Sequence, residues 1–122
     1  MRTSVLPLFT RRAKNYVNNS EAQYIAIFDV KPEGKVTNQR VFAELKDVSQ
    51  SGVFEGLKVD LEGNIYSTGP GGVWILSPTG ELFGKIYVPE TATNLVWGDR
   101  DYKTLYITGS KSLYRIRLKN GL

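Results

Sequence analysis

Three pairs of aromatic residues at one spacing constrain this chain more than anything else in it. Tyr66 and Trp74 stand eight positions apart, as do Tyr106 and Tyr114, and Tyr16 and Tyr24. Tyr16 precedes Tyr66 by 50 residues, and Tyr66 precedes Tyr106 by 40. The flanking text agrees as well: GNIYSTG beside KTLYITG, and GGVWIL beside KSLYRI. A period of roughly 40–50 residues, each carrying about four short strands, is the signature of β-propeller blades. The competing architecture, a β-sandwich with ordinary aromatic strands, gives no reason for three pairs at one offset.

The segment Gly56 to Gly80, GLKVDLEGNIYSTGPGGVWILSPTG, holds the pattern in its clearest form. Short apolar runs are separated by Asp60-Leu61-Glu62-Gly63, Gly69-Pro70-Gly71-Gly72 and Ser77-Pro78-Thr79-Gly80. Such residues supply the φ values of tight reversals, so the runs read as antiparallel hairpins. The expected fold is all-β: a partial β-propeller of about three four-stranded antiparallel blades, at about 14–45, 54–88 and 94–122. Residues 1–13 fit the blade pattern poorly and are set apart as an atypical N-terminus. The last blade ends in Asn120-Gly121, a hairpin signal with no room for a further strand, so that blade lacks its outer strand.

With 122 residues, 41% hydrophobic and 23% charged, the chain reads as one folded domain. It contains no cysteine and no histidine. That removes disulfides, thiolate nucleophiles, Ser-His-Asp triads and imidazole-bound zinc. Any metal must be a hard cation held by oxygen, such as calcium. The glycine corner at Gly69 is not a phosphate cradle, because neither a helix nor a Lys-Ser/Thr tail follows it.

The net charge is +4. In the last strand Leu113, Arg115, Arg117 and Lys119 alternate with Ser112, Tyr114, Ile116 and Leu118, so the basic residues form one face. That face is read as solvated, with no nucleic-acid partner. No apolar run reaches the ~20 residues a membrane helix needs, and Val5–Phe9, interrupted by Pro7, is too short for a signal core. The expected location is cytoplasmic, without a membrane partner.

From GLKVDLEGNIYSTGPGGVWILSPTGELFGKI through NLVWGDRDYKTLYITGSKSLYRIRLKNG, the chain resembles the C-terminal part of the SMP-30/gluconolactonase/LRE-like family, and IFDVKPEGKVTNQRVFAEL resembles the strand pair before it. The resemblance covers roughly residues 14–122. It implies a six-bladed propeller that hydrolyses sugar lactones with one divalent metal, usually calcium, in its central channel. This chain would be about the last three blades.

The resemblance also implies three metal ligands: a Glu near the start, a central Asn, and an Asp in a Pro-Asp-Gly turn. The last maps onto Phe54-Glu55-Gly56, which makes Glu55 the candidate ligand. The Asn position falls near Ser4, and the first Glu has no counterpart. Glu55 is read either as a residual ligand or as a plain turn carboxylate. Asn18, Asn94 and Asp99, at strand starts and loop tips, are candidates to line the channel. One carboxylate cannot satisfy calcium, which takes about six to eight oxygens, so the isolated monomer is expected to be inactive. An open arc also leaves blade faces uncovered, and a homodimer completing the ring is the expected assembly. The alternative function is a non-catalytic module acting through self-association.

Overall fold

The computed structural model describes residues 2–5, 14–19, 22–45 and 54–119. Eleven strands form three antiparallel sheets, and among the described residues there is no helix. The first sheet contains β1 (Arg2–Val5), β2 (Lys14–Asn19), β3 (Tyr24–Val30) and β4 (Val36–Glu44) in that order. The second contains β5 (Leu57–Val59), β6 (Ile65–Gly69), β7 (Gly72–Leu76) and β8 (Leu82–Tyr87). The third holds β9 (Ala92–Gly98), β10 (Thr104–Gly109) and β11 (Leu113–Arg117). The first strands of the three sheets, β1, β5 and β9, approach one another in succession. This is a partial β-propeller whose third sheet has three described strands. The Asn120-Gly121 turn lies outside the described residues.

The turns form for local reasons. Asp60 Oδ1 accepts from the amides of Glu62 (2.9 Å) and Asn64 (2.8 Å), closing the β5–β6 reversal. Ser77 Oγ does the same after β7, accepting from Thr79 N and Glu81 N. The Gly69 corner is the two-residue β6–β7 connection, with Gly69 paired to Gly72. Gly72 has φ 145°, and a Cβ there would lie 2.0 Å from the Ile86 carbonyl oxygen, so no other residue fits.

Strand alternation then fills two cores, one at each junction between sheets. Tyr16, Ile25 and Ile27 of the first sheet meet Leu57, Ile65, Trp74 and Leu76 of the second. Tyr66 and Val73, on the other face of the second sheet, meet Leu95, Trp97, Leu105 and Ile107 of the third. Tyr66 stands edge-on to Trp97 at 5.0 Å between ring centroids. Trp74 donates its indole N–H to the Pro70 carbonyl (2.9 Å). Tyr114 packs on the second core, as does Leu118 just after β11, while Ile116 on the same side is 37% exposed.

Two expectations need correction. The first sheet does not begin at Lys14, because Arg2–Val5 already pairs with β2 as its inner strand, Ser4 opposite Tyr16. Pairing uses backbone groups that any non-proline residue provides, so the unusual side chains of this stretch did not prevent it. Nor is Tyr24 equivalent to Trp74 and Tyr114. Ser67 pairs with Trp74 and Ile107 with Tyr114, but Val17, the matching residue of β2, pairs with Ala26. The β2–β3 connection is longer than that of β6–β7, since its last pair is Asn19–Tyr24 rather than Gly69–Gly72. Tyr24 therefore sits two positions nearer the turn than Trp74 does.

Candidate functional site

The inner strands β5 and β9 begin side by side, and that end of the arc gathers most of the candidate residues. Glu55 and Gly56 lead into β5. Thr68, at the end of β6 and fully buried, fixes their path: its Oγ accepts from the Glu55 amide (3.1 Å) and the Gly56 amide (3.0 Å). The Thr68 amide in turn donates to the Gly56 carbonyl (2.9 Å). Asn94, near the start of β9, lies against Gly56. A Cβ at position 56 would be 2.6 Å from Asn94 Oδ1 and 2.8 Å from its Cα, so this approach requires glycine. Asn94 is exposed, and its Oδ1 accepts from the Leu95 amide (2.9 Å).

Asn18 is fully buried near the end of β2. It stands two residues after Tyr16, as Thr68 stands two after Tyr66 and Thr108 two after Tyr106. The two threonines bind the entry to their own inner strand, Thr108 by donating to the Asn94 carbonyl (3.4 Å). Asn18 therefore occupies the position of a strand bracket, buried between sheets rather than facing open space. The Tyr-x-Thr/Asn repeat was available in the sequence and would have identified Thr68, which motif reasoning passed over.

Asp99 is not brought together with the others. It follows the far end of β9, and five strand residues at ~3.3 Å each put it roughly 16 Å from Asn94. Its φ is 66°, a left-handed conformation that Asp tolerates. Thr104 and Tyr106 donate to its carboxylate, the latter at 2.6 Å, and hold it below the usual carboxylate range. The Tyr106 hydroxyl is pushed up by the same bond. Asp99, Thr104, Arg115 and Arg117 line a hollow of about 320 Å³ on the outer flank of the third sheet. Arg117 is engaged there, pairing with both oxygens of Asp101.

Of the candidate residues, Glu55 and Asn94 come to the β5–β9 end, where Asn94 lies against Gly56. Among the described residues no three acidic side chains come together. Calcium takes about six to eight oxygens, so these residues alone do not amount to a calcium site. Thr68 and the close approach at Gly56 fix the backbone of this end.

Comparison with known proteins shows the family. A gluconolactonase from Zymomonas mobilis subsp. mobilis is 28% identical over 126 aligned residues, covering 97% of this chain and 35% of that enzyme. The solved structure of a gluconolactonase from Xanthomonas campestris superimposes with a TM-score of 0.76 at 30% identity, covering 87% of this chain and 34% of that one. A calcium-binding protein, regucalcin, from Agrobacterium tumefaciens shares the fold, with a TM-score of 0.71 at 16% identity over 82% of this chain and 35% of its own. The chain thus spans about a third of the length of each of these relatives. Residues 10–111 match the family model described as the SMP-30/Gluconolactonase/LRE-like region, and the chain belongs to that family.

Proposed function

We propose that this chain supplies part of a calcium-dependent sugar-lactone hydrolase and is inactive as an isolated monomer. One observation carries the reading. Thr68 and Gly56 fix the Glu55 backbone at the inner end of a blade, with Asn94 against Gly56, yet no group of three acidic side chains forms among the described residues. The kinship with gluconolactonases supports the substrate class, a polyhydroxylated lactone. The calcium-binding relative supports the choice of metal. In this reading Glu55 is a residual ligand whose companions come from outside this arc, and the chain's own contribution is to orient it. A cytoplasmic location belongs to the same reading. Among the described residues, no helix is long and apolar enough to cross a membrane.

The test is hydrolysis of gluconolactone by protein of known solution mass, with calcium and with chelator. The monomer is expected to give only the spontaneous rate under both conditions. Chelator-sensitive turnover by a monomer would overturn the proposal. The alternative, a non-catalytic module that self-associates, is favoured by the exposed apolar residues on the flank of the third sheet, Val96 at 54% and Leu113 at 65%. An assembled form that never hydrolyses a lactone would select it.

A further inference from the structure

The stretch that delivers β9 to the site is fastened before the strand begins. Glu90 lies in the connection from β8 to β9, and its carboxylate closes over the β10–β11 turn. Oε1 accepts from Ser110 Oγ and the Lys111 amide, Oε2 from the Ser112 amide and the Tyr114 hydroxyl. An ionised carboxylate accepts four such donors without offering a hydrogen of its own, whereas a side-chain amide would put an NH2 group among them. The turn leaves room for it at Gly109, where a Cβ would lie 2.5 Å from Glu90 Oε2 and push the carboxylate off its donors. The backbone joins in, the Ser110 amide donating to the Thr91 carbonyl (3.1 Å).

Just past this clamp β9 carries an extra residue. Ala92 stands opposite Gly109 and Asn94 opposite Thr108, which leaves Thr93 as a β-bulge. Its Oγ1 donates to the Thr108 carbonyl (3.1 Å). A bulge moves along a strand unless the chain is fixed on both sides of it, and the side chain next to it moves with it. Downstream the fixing is done by Leu95 and Trp97, buried in the second core. Upstream it is done by Ala92, fully buried, and by Glu90 two residues earlier. Asn94 is the first residue of the regular ladder after the bulge, and it is the residue that lies against Gly56.

We infer that Glu90 is a positioning residue for the candidate site: by clamping the β10–β11 turn it pins the Thr93 bulge and so sets Asn94 beside Gly56. The inference rests on the reading above only in counting Asn94 as part of the site. Glu90 acts through the register of β9, and every group in the clamp belongs to the third sheet and its entry.

Leu95 reports where Asn94 stands. The Gly109 amide donates to Ser112 and the Leu118 amide to Lys103, so the odd residues of β10 face β11 and the even ones face β9, opposite Asn94, Val96 and Gly98. The Leu95 amide therefore points out of the ladder, and it donates to Asn94 Oδ1 (2.9 Å). In the full chain, with amide exchange followed by two-dimensional NMR, Glu90→Gln is expected to speed exchange at Leu95 about tenfold or more relative to β7. Asp101→Asn is the control, because it loosens the opposite end of the same sheet, where the Lys103 amide and Arg117 bind Asp101. It should leave Leu95 within about twofold of the parent. Tyr114→Phe removes a single donor and covers the case of a Glu90→Gln chain that does not fold; it should speed Leu95 about fivefold. Parent-like exchange at Leu95 in folded Glu90→Gln, or in Tyr114→Phe where the first variant is unfolded, would overturn the inference. Equal acceleration in Asp101→Asn would overturn it too, by showing only general loosening. None of these measurements involves lactone turnover. A protein that shows the Leu95 effect yet hydrolyses no lactone in any assembled form keeps Glu90 in this role and removes the hydrolase reading.

Discussion

Glu90 is the most heavily bonded carboxylate of the third sheet. Its Oε1 accepts from Ser110 Oγ (3.0 Å) and the Lys111 amide (3.1 Å), and its Oε2 from the Ser112 amide (2.9 Å) and the Tyr114 hydroxyl (2.8 Å). Tyr114 above all holds the Glu90 carboxyl below its usual value of 4.5. A carboxyl depressed in the folded state contributes stability that is present above its unfolded pKa and is lost as pH falls through the folded one. Glu90→Gln should therefore melt at a lower temperature than the parent at pH 7, and the gap should narrow by pH 3. Equal gaps at the two pH values would show that charge has no part in the clamp. Thr68 gives a second expectation. Thr68→Val strips the acceptor from two amides, one of them buried, and should cost about 1–3 kcal/mol in a denaturant titration, while Thr68→Ser should recover most of it. Neither residue stood out in the sequence as a site. Glu90 lay in an ordinary connection, Pro89-Glu90-Thr91, and its partners are 20 and more positions away, a separation that leaves no local signature. Thr68 did leave one, in Tyr-x-Thr, but threonine two after a tyrosine is unremarkable until the register shows what it touches.

At the level of strands, legibility followed turn chemistry. The second sheet came through because Asp60, Ser77 and the Gly69 corner close its reversals with short, recognisable hydrogen-bond sets. The first sheet was read less well because β1 precedes the residues where the repeat becomes recognisable, and because a longer connection moved Tyr24 out of the common register. Spacing along the chain equals spacing in the sheet only when loop lengths match. The strand ladder makes a further prediction. β10 is paired on both sides, whereas β11 has a described neighbour on one side only. Amides of β10 and β7 should then exchange with deuterium most slowly, and those of β11 that point away from β10 much faster. Protection along β11 equal to that of β7 would mean that a fourth strand pairs there.

The whole molecule decides whether Glu55 ever meets a metal. Glu55 and Asn94 lie at the adjoining ends of β5 and β9, and one carboxylate with one amide oxygen is too few for calcium. Closing the ring would bring a second such pair to the same axis and double the donors there. Metal binding would then be linked to assembly, because a ligand stabilises only the form that binds it. Calcium should raise the melting temperature of the assembled protein, leave the dilute monomer unchanged, and shift the mass distribution toward the assembled form. Glu55→Gln keeps the size and the backbone bracket but removes the charge, so it should abolish the calcium shift at every protein concentration. A calcium shift that survives in Glu55→Gln would place the metal elsewhere in the molecule. An equal shift in monomer and assembly would uncouple metal binding from ring closure.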